Sequence, residues 1–169
     1  MGLYDEDDAA VTEGPVDNEK YYWVKVWEKW LGVAMKQRLK ESNVKRICEQ
    51  IVEHADAVLA KFPQHKEMLA AREKASKLIG KIEGYSAGTE FSSVTPGWHQ
   101  EVWRKGWADG MYAVYLNDQK RASEAKTRAE NCVWRVKDSW MKDGDATGHV
   151  TYPKADLEDI VAKCAAIKG

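Results

Sequence analysis

Three acidic side chains and a histidine are spaced for metal binding in the first third of the chain. Glu49, Glu53 and Asp56 are four and three residues apart, and His54 lies beside them. Residues at these spacings share one face of an α-helix, where carboxylates can hold a divalent cation. A helical metal enzyme also needs a matching set on a second helix, and the sequence contains no such set and no Glu-x-x-His motif. A carboxylate-metal helical enzyme is therefore kept only as an alternative.

A second oxygen-rich stretch, DGDATGHVTYPK, covers residues 143–154. Its candidate metal ligands are Asp143, Asp145, Thr147, His149 and Thr151. These twelve residues resemble an EF-hand calcium loop, with Asp at the first and third positions, Thr at the fifth and Gly148 at the sixth. Lys154 stands at the twelfth position, where an EF-hand has a bidentate Glu, so a cation replaces two ligand oxygens. The resemblance implies a calcium-responsive helical protein as a further alternative, whereas the composition by itself indicates a helix connection.

The remaining sequence gives catalysis little support. It has no glycine loop of the kind that cradles phosphate groups, and no cysteine stands next to a histidine. We therefore predict a non-catalytic protein that needs no cofactor.

Apolar residues recur at helical spacing through most of the chain, and no segment alternates apolar and polar residues as a half-buried strand would. The sequence predicts an all-α helical bundle of five or six helices. The predicted helices cover about residues 17–40, 43–61, 64–83 and 96–141, with a last helix opening near 151–153. The first helix is expected to begin near Asp17 or Asn18, because Asp and Asn favour the N-cap position.

The long helix over about 96–141 is predicted from a heptad pattern. Its repeating positions are Met111, Tyr115, Asp118, Ala122, Ala125, Ala129, Cys132, Val136 and Ser139. Such a row of small residues favours close packing against another helix. A kink is expected near Gly110 or Asn117–Asp118.

Length and charge define the expected domain organisation. A chain of 169 residues fits one domain of ordinary size. Residues 1–19 contain seven acidic residues and no Lys or Arg, and we predict that residues 1–16 form a flexible acidic arm. Residues 17–169 are predicted to form a single all-α domain, with its main connector at about 84–97, where Gly, Ser and Thr predominate.

Tryptophan is unusually frequent, and its distribution suggests a contact surface. The chain has eight Trp and seven Tyr but only two Phe, and Trp and Tyr are enriched at protein interfaces. Burying one Trp removes about 150–250 Å² from water, so a whole stripe would not stay exposed without a partner. The predicted partner-binding residues are Trp23, Trp27, Trp30, Lys25, Lys29, Lys36, Trp98, Trp103 and Trp107. The alternative is that these tryptophans form the core of the chain itself.

Cysteines and net charge narrow the class of protein. Cys48, Cys132 and Cys164 are far apart and each lies among apolar residues, which predicts buried thiols in a reducing, intracellular compartment. A net charge of −1 and an acidic arm argue against nucleic acid as a partner. No apolar run approaches the roughly 18 residues of a spanning helix, so membrane contact would be limited to the surface.

Together these observations predict a non-catalytic accessory or scaffold subunit of a larger intracellular multiprotein assembly. It would dock to other protein subunits through Trp- and Tyr-rich helical faces. An organellar membrane complex, for example in mitochondria, is one setting compatible with this interpretation.

Overall fold

The computed structural model describes residues 14–36, 41–84, 100–142 and 154–168, and these residues form six α-helices without a β-strand among them. The helices are α1 (Glu19–Lys36), α2 (Glu41–Leu59), α3 (Lys66–Gly84), α4 (Gln100–Asp118), α5 (Ala122–Lys142) and α6 (Lys154–Ala165). The predicted all-α bundle is confirmed.

Helix α1 is the central helix of the N-terminal half, because it packs against α2, α3 and α4. The Asn18 side chain accepts a hydrogen bond from the Lys20 amide at 2.9 Å, which caps the helix at the predicted place. Contact with three neighbours buries residues on most sides of the helix. Its buried residues are Tyr21, Tyr22, Val24, Val26, Trp27, Trp30, Leu31 and Ala34.

Helices α2 and α3 pack against each other, and residues 60–65 connect them. His65 is fully buried at the start of α3, where its Nδ1 accepts a hydrogen bond from the Met68 amide at 3.3 Å. Its Nε2 then carries the proton and donates to the Gly14 carbonyl at 3.0 Å. The histidine therefore caps α3 and fastens the chain just before α1 to it.

The single long helix predicted over about 96–141 requires correction, because residues 119–121 separate it into α4 and α5. The Arg121 amide bonds the Leu116 carbonyl at 2.9 Å, and the Lys120 amide bonds the Asn117 carbonyl at 3.0 Å. This pair of bonds is a Schellman motif, which ends a helix with one left-handed residue. Lys120 is that residue, with a φ of 62°. The chain therefore turns back at this point, and α5 packs on α4.

The small residues of the heptad pattern do lie at a close helix contact. Ala125, Ala129, Cys132 and Val136 are all buried. On α4, a Cβ atom added to Gly110 would lie 2.5 Å from Ile160 Cγ1 and 2.7 Å from Cys132 Sγ, so α4, α5 and α6 meet there without space for a side chain. Cys48, Cys132 and Cys164 are free thiols and buried, as predicted.

The six helices share one hydrophobic core, to which Val16 contributes from the segment before α1. Residues 14–16, predicted to belong to the acidic arm, thus include a core residue, and residues 1–13 lie outside the described part of the chain. The predicted connector at about 84–97 also lies outside it, apart from Gly84 at the end of α3.

Candidate functional site

The predicted tryptophan anchors are mostly core residues. Trp27, Trp30, Trp103 and Trp107 are buried, and Trp23 is partly buried against the same core. Trp30 meets Trp103 edge to face, with ring centroids 5.5 Å apart. The guanidinium of Arg104 lies over this cluster, 4.6 Å from the Trp27 ring centroid. This burial matches the core interpretation of the stripe rather than the docking interpretation, and Trp98 lies outside the described residues.

The predicted lysine rim is partly engaged within the chain. Lys25 forms an ion pair with Glu67, and Lys29 lies 3.8 Å from Asp156. The Tyr21 hydroxyl donates to the same Glu67 carboxylate at 2.7 Å, so α1 and α3 share a polar network. Lys36 is exposed at the end of α1. Lys25 and Lys29 therefore connect α1 to other helices, whereas Lys36 remains on the surface.

The two candidate metal sites have different outcomes. Asp143, Asp145, Thr147, His149 and Thr151 all lie outside the described residues, as does most of the EF-hand-like loop. On α2, the side chain of Asp56 pairs with Arg72, and His54 turns to the Gln50 carbonyl at 2.7 Å. Within the described segments, no three His, Cys, Asp or Glu side chains come together as a metal site.

One motif was missed in reading the sequence for catalysis. Residues 84–88 read Gly-Tyr-Ser-Ala-Gly, which is the GxSxG pattern of a nucleophile elbow. That elbow joins a strand to a helix in an α/β sheet, whereas this pattern follows directly from helix α3. Ser86 itself lies outside the described residues, and the helical context before it differs from the one that activates such a serine.

A polar pocket of about 530 Å³ lies between α1, α2, α4 and α5, and we call it the cationic pocket. Its lining comprises Glu19, Lys20, Trp23, Trp27, Gln50, His54, Lys105, Asp109, Arg128, Asn131 and Arg135. Four Lys or Arg residues face two carboxylates, which leaves a formal excess of two positive charges. An excess of this sign in a concave, partly desolvated site attracts anionic groups.

Asp109 organises the inner wall of the cationic pocket. Its carboxylate is buried and accepts hydrogen bonds from both Arg128, at 3.0 Å, and Arg135. Arg128 and Arg135 are seven residues apart on α5, so they project from the same face of that helix. Both guanidinium groups are thereby held in fixed positions at the pocket.

Arg128 also reaches the start of α1, where its second amino group donates to Glu19 at 2.8 Å. Burial opposes the positive charge on Arg128, but hydrogen bonds to Glu19 and Asp109 outweigh it and raise the pKa. Arg128 is therefore a permanent cation that links α5 to α4 and to the start of α1.

The opposite wall is aromatic. The His54 ring stacks on Trp23 with centroids 5.7 Å apart, and Trp23 in turn stacks on Trp27 at 6.4 Å. Burial lowers the pKa of His54, and the nearby Lys20 acts in the same direction, against the hydrogen bond to Gln50. His54 is therefore a neutral wall residue at pH 7 and leaves the charge balance to the lysines and arginines.

An exposed tryptophan lies beside the pocket. Trp134 on α5 is 54% exposed, which makes it the most exposed large hydrophobic residue of the described chain. The guanidinium of Arg135 lies 5.5 Å from the Trp134 ring centroid while its hydrogen bond to Asp109 reaches into the pocket. Arg135 thus joins the apolar surface of Trp134 to the cationic pocket.

This arrangement can bind and orient an anionic group but assembles no nucleophile and base within the described residues. Its key residues, Arg128, Arg135, Asp109 and Trp134, were not identified from the sequence. The available signal was the i, i+7 spacing of the two arginines on a predicted helix, which places them on one face. What was missing was the turn at Lys120, without which α5 does not return to α4.

Comparison with known proteins gives no relative: no protein-family model, curated protein or solved structure matches the chain. None of the helices in the described segments has the length and apolar character needed to cross a membrane.

Proposed function

We propose that this chain is a non-catalytic accessory or scaffold subunit that binds another protein of a larger assembly. The observation that carries this proposal is the surface where exposed Trp134 adjoins the cationic pocket through Arg135. Tryptophan and arginine are the residue types that most often dominate the energy of protein interfaces.

The proposed docking surface differs from the one expected from the sequence. The buried tryptophans of α1 and α4 stabilise the bundle from within, so they do not serve as anchors in this proposal. Trp134 takes their place because a half-exposed indole on a rigid helix loses little entropy on binding. Its ring already lies beside a guanidinium held by a buried carboxylate, so the local geometry is fixed before a partner arrives.

The proposal is tested by isolating the tagged full chain under native conditions from the cells in which it occurs, followed by native mass measurement. We expect a stoichiometric partner with the wild type and its loss with Trp134→Ala. Leu69→Ala is the matched control, since Leu69 is the next most exposed large apolar residue, at 43%, and lies on α3 away from the pocket. A monomer without a stoichiometric partner, or equal loss with both variants, would contradict the proposal.

Thermal melts of both variants accompany this comparison. Exposed positions away from caps and buried networks usually change stability by less than about 0.5 kcal/mol, so both proteins should melt close to the wild type. A large destabilisation of Trp134→Ala would mean that the side chain serves the fold.

A further inference from the structure

We propose that the cationic pocket receives an acidic segment of the protein partner, whose carboxylate replaces Glu19 at Arg128 while an adjacent apolar side chain packs on Trp134. This inference rests on the proposed function, since it names the chemistry of the partner at the same surface. It follows from the different burial of the two carboxylates that Arg128 binds.

Asp109 and Glu19 hold Arg128 in different ways. The Asp109 side chain is 7% exposed and binds both pocket arginines, so it belongs to the fold. The Glu19 side chain is 42% exposed at the first turn of α1 and forms one ion pair with Arg128. An ion pair in contact with water contributes little net stability, because water competes for both charges. A carboxylate from outside can therefore take the place of Glu19 at small cost.

The pocket offers this incoming carboxylate further positive charge. Lys20 and Lys105 also line the pocket, and neither forms an ion pair with a described residue. Both are exposed, so they are available to a second acidic side chain of the same segment. A segment with two or more neighbouring carboxylates therefore matches the excess charge of the pocket.

Other polyanions fit the surface less well. Trp23 already stacks with both His54 and Trp27, so within the described residues Trp134 alone presents an exposed indole at the pocket, whereas single-stranded nucleic acid is bound by stacking successive bases on several rings. The cations converge on a pocket that also contains two carboxylates, rather than spreading over a flat basic face as binding to an anionic membrane would require. The exposed indole of Trp134 at the pocket edge instead suits one apolar side chain flanked by acidic residues.

Fluorescence anisotropy tests this inference on the intact chain. The labelled probe is a synthetic peptide in which glutamates flank a pair of leucines. The same peptide with glutamines, a single-stranded oligodeoxynucleotide and vesicles of anionic phospholipid are the competing probes. We expect the glutamate peptide to bind best and its affinity to fall as salt is added. Stronger binding of the oligodeoxynucleotide or the vesicles, or equal binding of the glutamine peptide, would overturn the inference.

Three charge-neutralising variants give a sharper test, because the inference predicts opposite changes in affinity for two of them and no change for the third. Glu19→Gln releases Arg128 and should tighten binding of the glutamate peptide, whereas Lys105→Gln should weaken it, each by roughly two- to fivefold. Lys126→Gln removes an exposed charge from α5 outside the pocket lining and should leave the affinity unchanged. Weaker or unaltered binding by Glu19→Gln would refute the displacement of Glu19.

The two proposals can fail separately. If the native partner depends on Trp134 but the glutamate peptide does not bind in a salt-sensitive way, the acidic-segment inference is wrong and the accessory function stands. If the peptide responds to the three variants as expected but the isolated chain has no stoichiometric partner, the pocket chemistry stands and the accessory function is wrong.

Discussion

At the scale of single residues, the cationic pocket depends on one buried carboxylate. Asp109 lies on α4 and binds two arginines from α5, so it neutralises positive charge where α5 packs on α4. Removing one member of a buried charge network leaves its partners without compensation, which costs more than the intact network contributes.

We therefore predict that Asp109→Ala lowers the free energy of unfolding by about 3 kcal/mol. Asp56→Ala is the matched control, because Asp56 also pairs with an arginine, Arg72, but both of those side chains are about half exposed. The Asp56→Ala variant should lose less than about 1 kcal/mol in its free energy of unfolding. Urea unfolding followed by circular dichroism measures both values, and equal losses would show that Asp109 is not the centre of the network.

At the scale of helices, the small residues identified from the sequence set the distance between α4, α5 and α6. Gly110 leaves no room for a side chain at this contact, since an added Cβ atom would lie 2.5 Å from Ile160 and 2.7 Å from the Cys132 sulfur. Real Cβ atoms do not come so close to neighbouring atoms, so a larger residue must push α5 or α6 away.

Gly110→Ala should therefore destabilise the fold by about 1–3 kcal/mol, the usual range for overpacking a filled core. Gly80→Ala makes the same chemical change in α3, where no neighbouring atom lies within 4 Å of the added carbon. That variant should gain about 0.5–1 kcal/mol, because alanine is the better helix former. Thermal melts of the pair would show shifts of opposite sign, and shifts of the same sign would contradict the close contact at Gly110.

The helices were predictable from the sequence, but the turn between α4 and α5 was not. Helical periodicity and caps such as Asn18 placed the other helix starts to within a few residues of the observed positions. The turn lacks the usual glycine, because Lys120 occupies the left-handed position, and the heptad pattern continues through it. Without that turn, the arginines of α5 could not be placed opposite Asp109.

At the scale of the whole molecule, the segment before α1 connects the N-terminal part of the chain to the α4–α5 turn. Asp17 accepts hydrogen bonds from the Tyr112 hydroxyl at 2.6 Å and from Arg121 at 2.5 Å. Arg121 also binds Glu124 in the first turn of α5, so one guanidinium ties three parts of the chain together. This contact was not predictable from the sequence, because Asp17 lies 95 residues from Tyr112 and 104 residues from Arg121 along the chain.

This contact predicts the direction in which the stability of the fold changes with pH. The hydrogen bond from Tyr112, with a smaller contribution from Arg121 and against the effect of burial, lowers the pKa of Asp17. The folded protein therefore binds a proton at Asp17 less readily than the unfolded chain, so this contribution to stability is complete above the unfolded pKa of about 4 and is lost as the pH falls further.

Asp17→Asn should accordingly reduce stability at neutral pH by less than about 1 kcal/mol, because the pair is exposed to water. The deficit should shrink as the pH falls below about 4, where the wild-type carboxylate becomes protonated. Tyr112→Phe removes only one of the two hydrogen bonds to Asp17 and keeps Arg121, so part of the acid-sensitive contribution should remain. Unfolding free energies measured from neutral to acidic pH decide the point: a deficit for Asp17→Asn that stays constant with pH would mean that Asp17 does not couple the N-terminal segment to the α4–α5 turn.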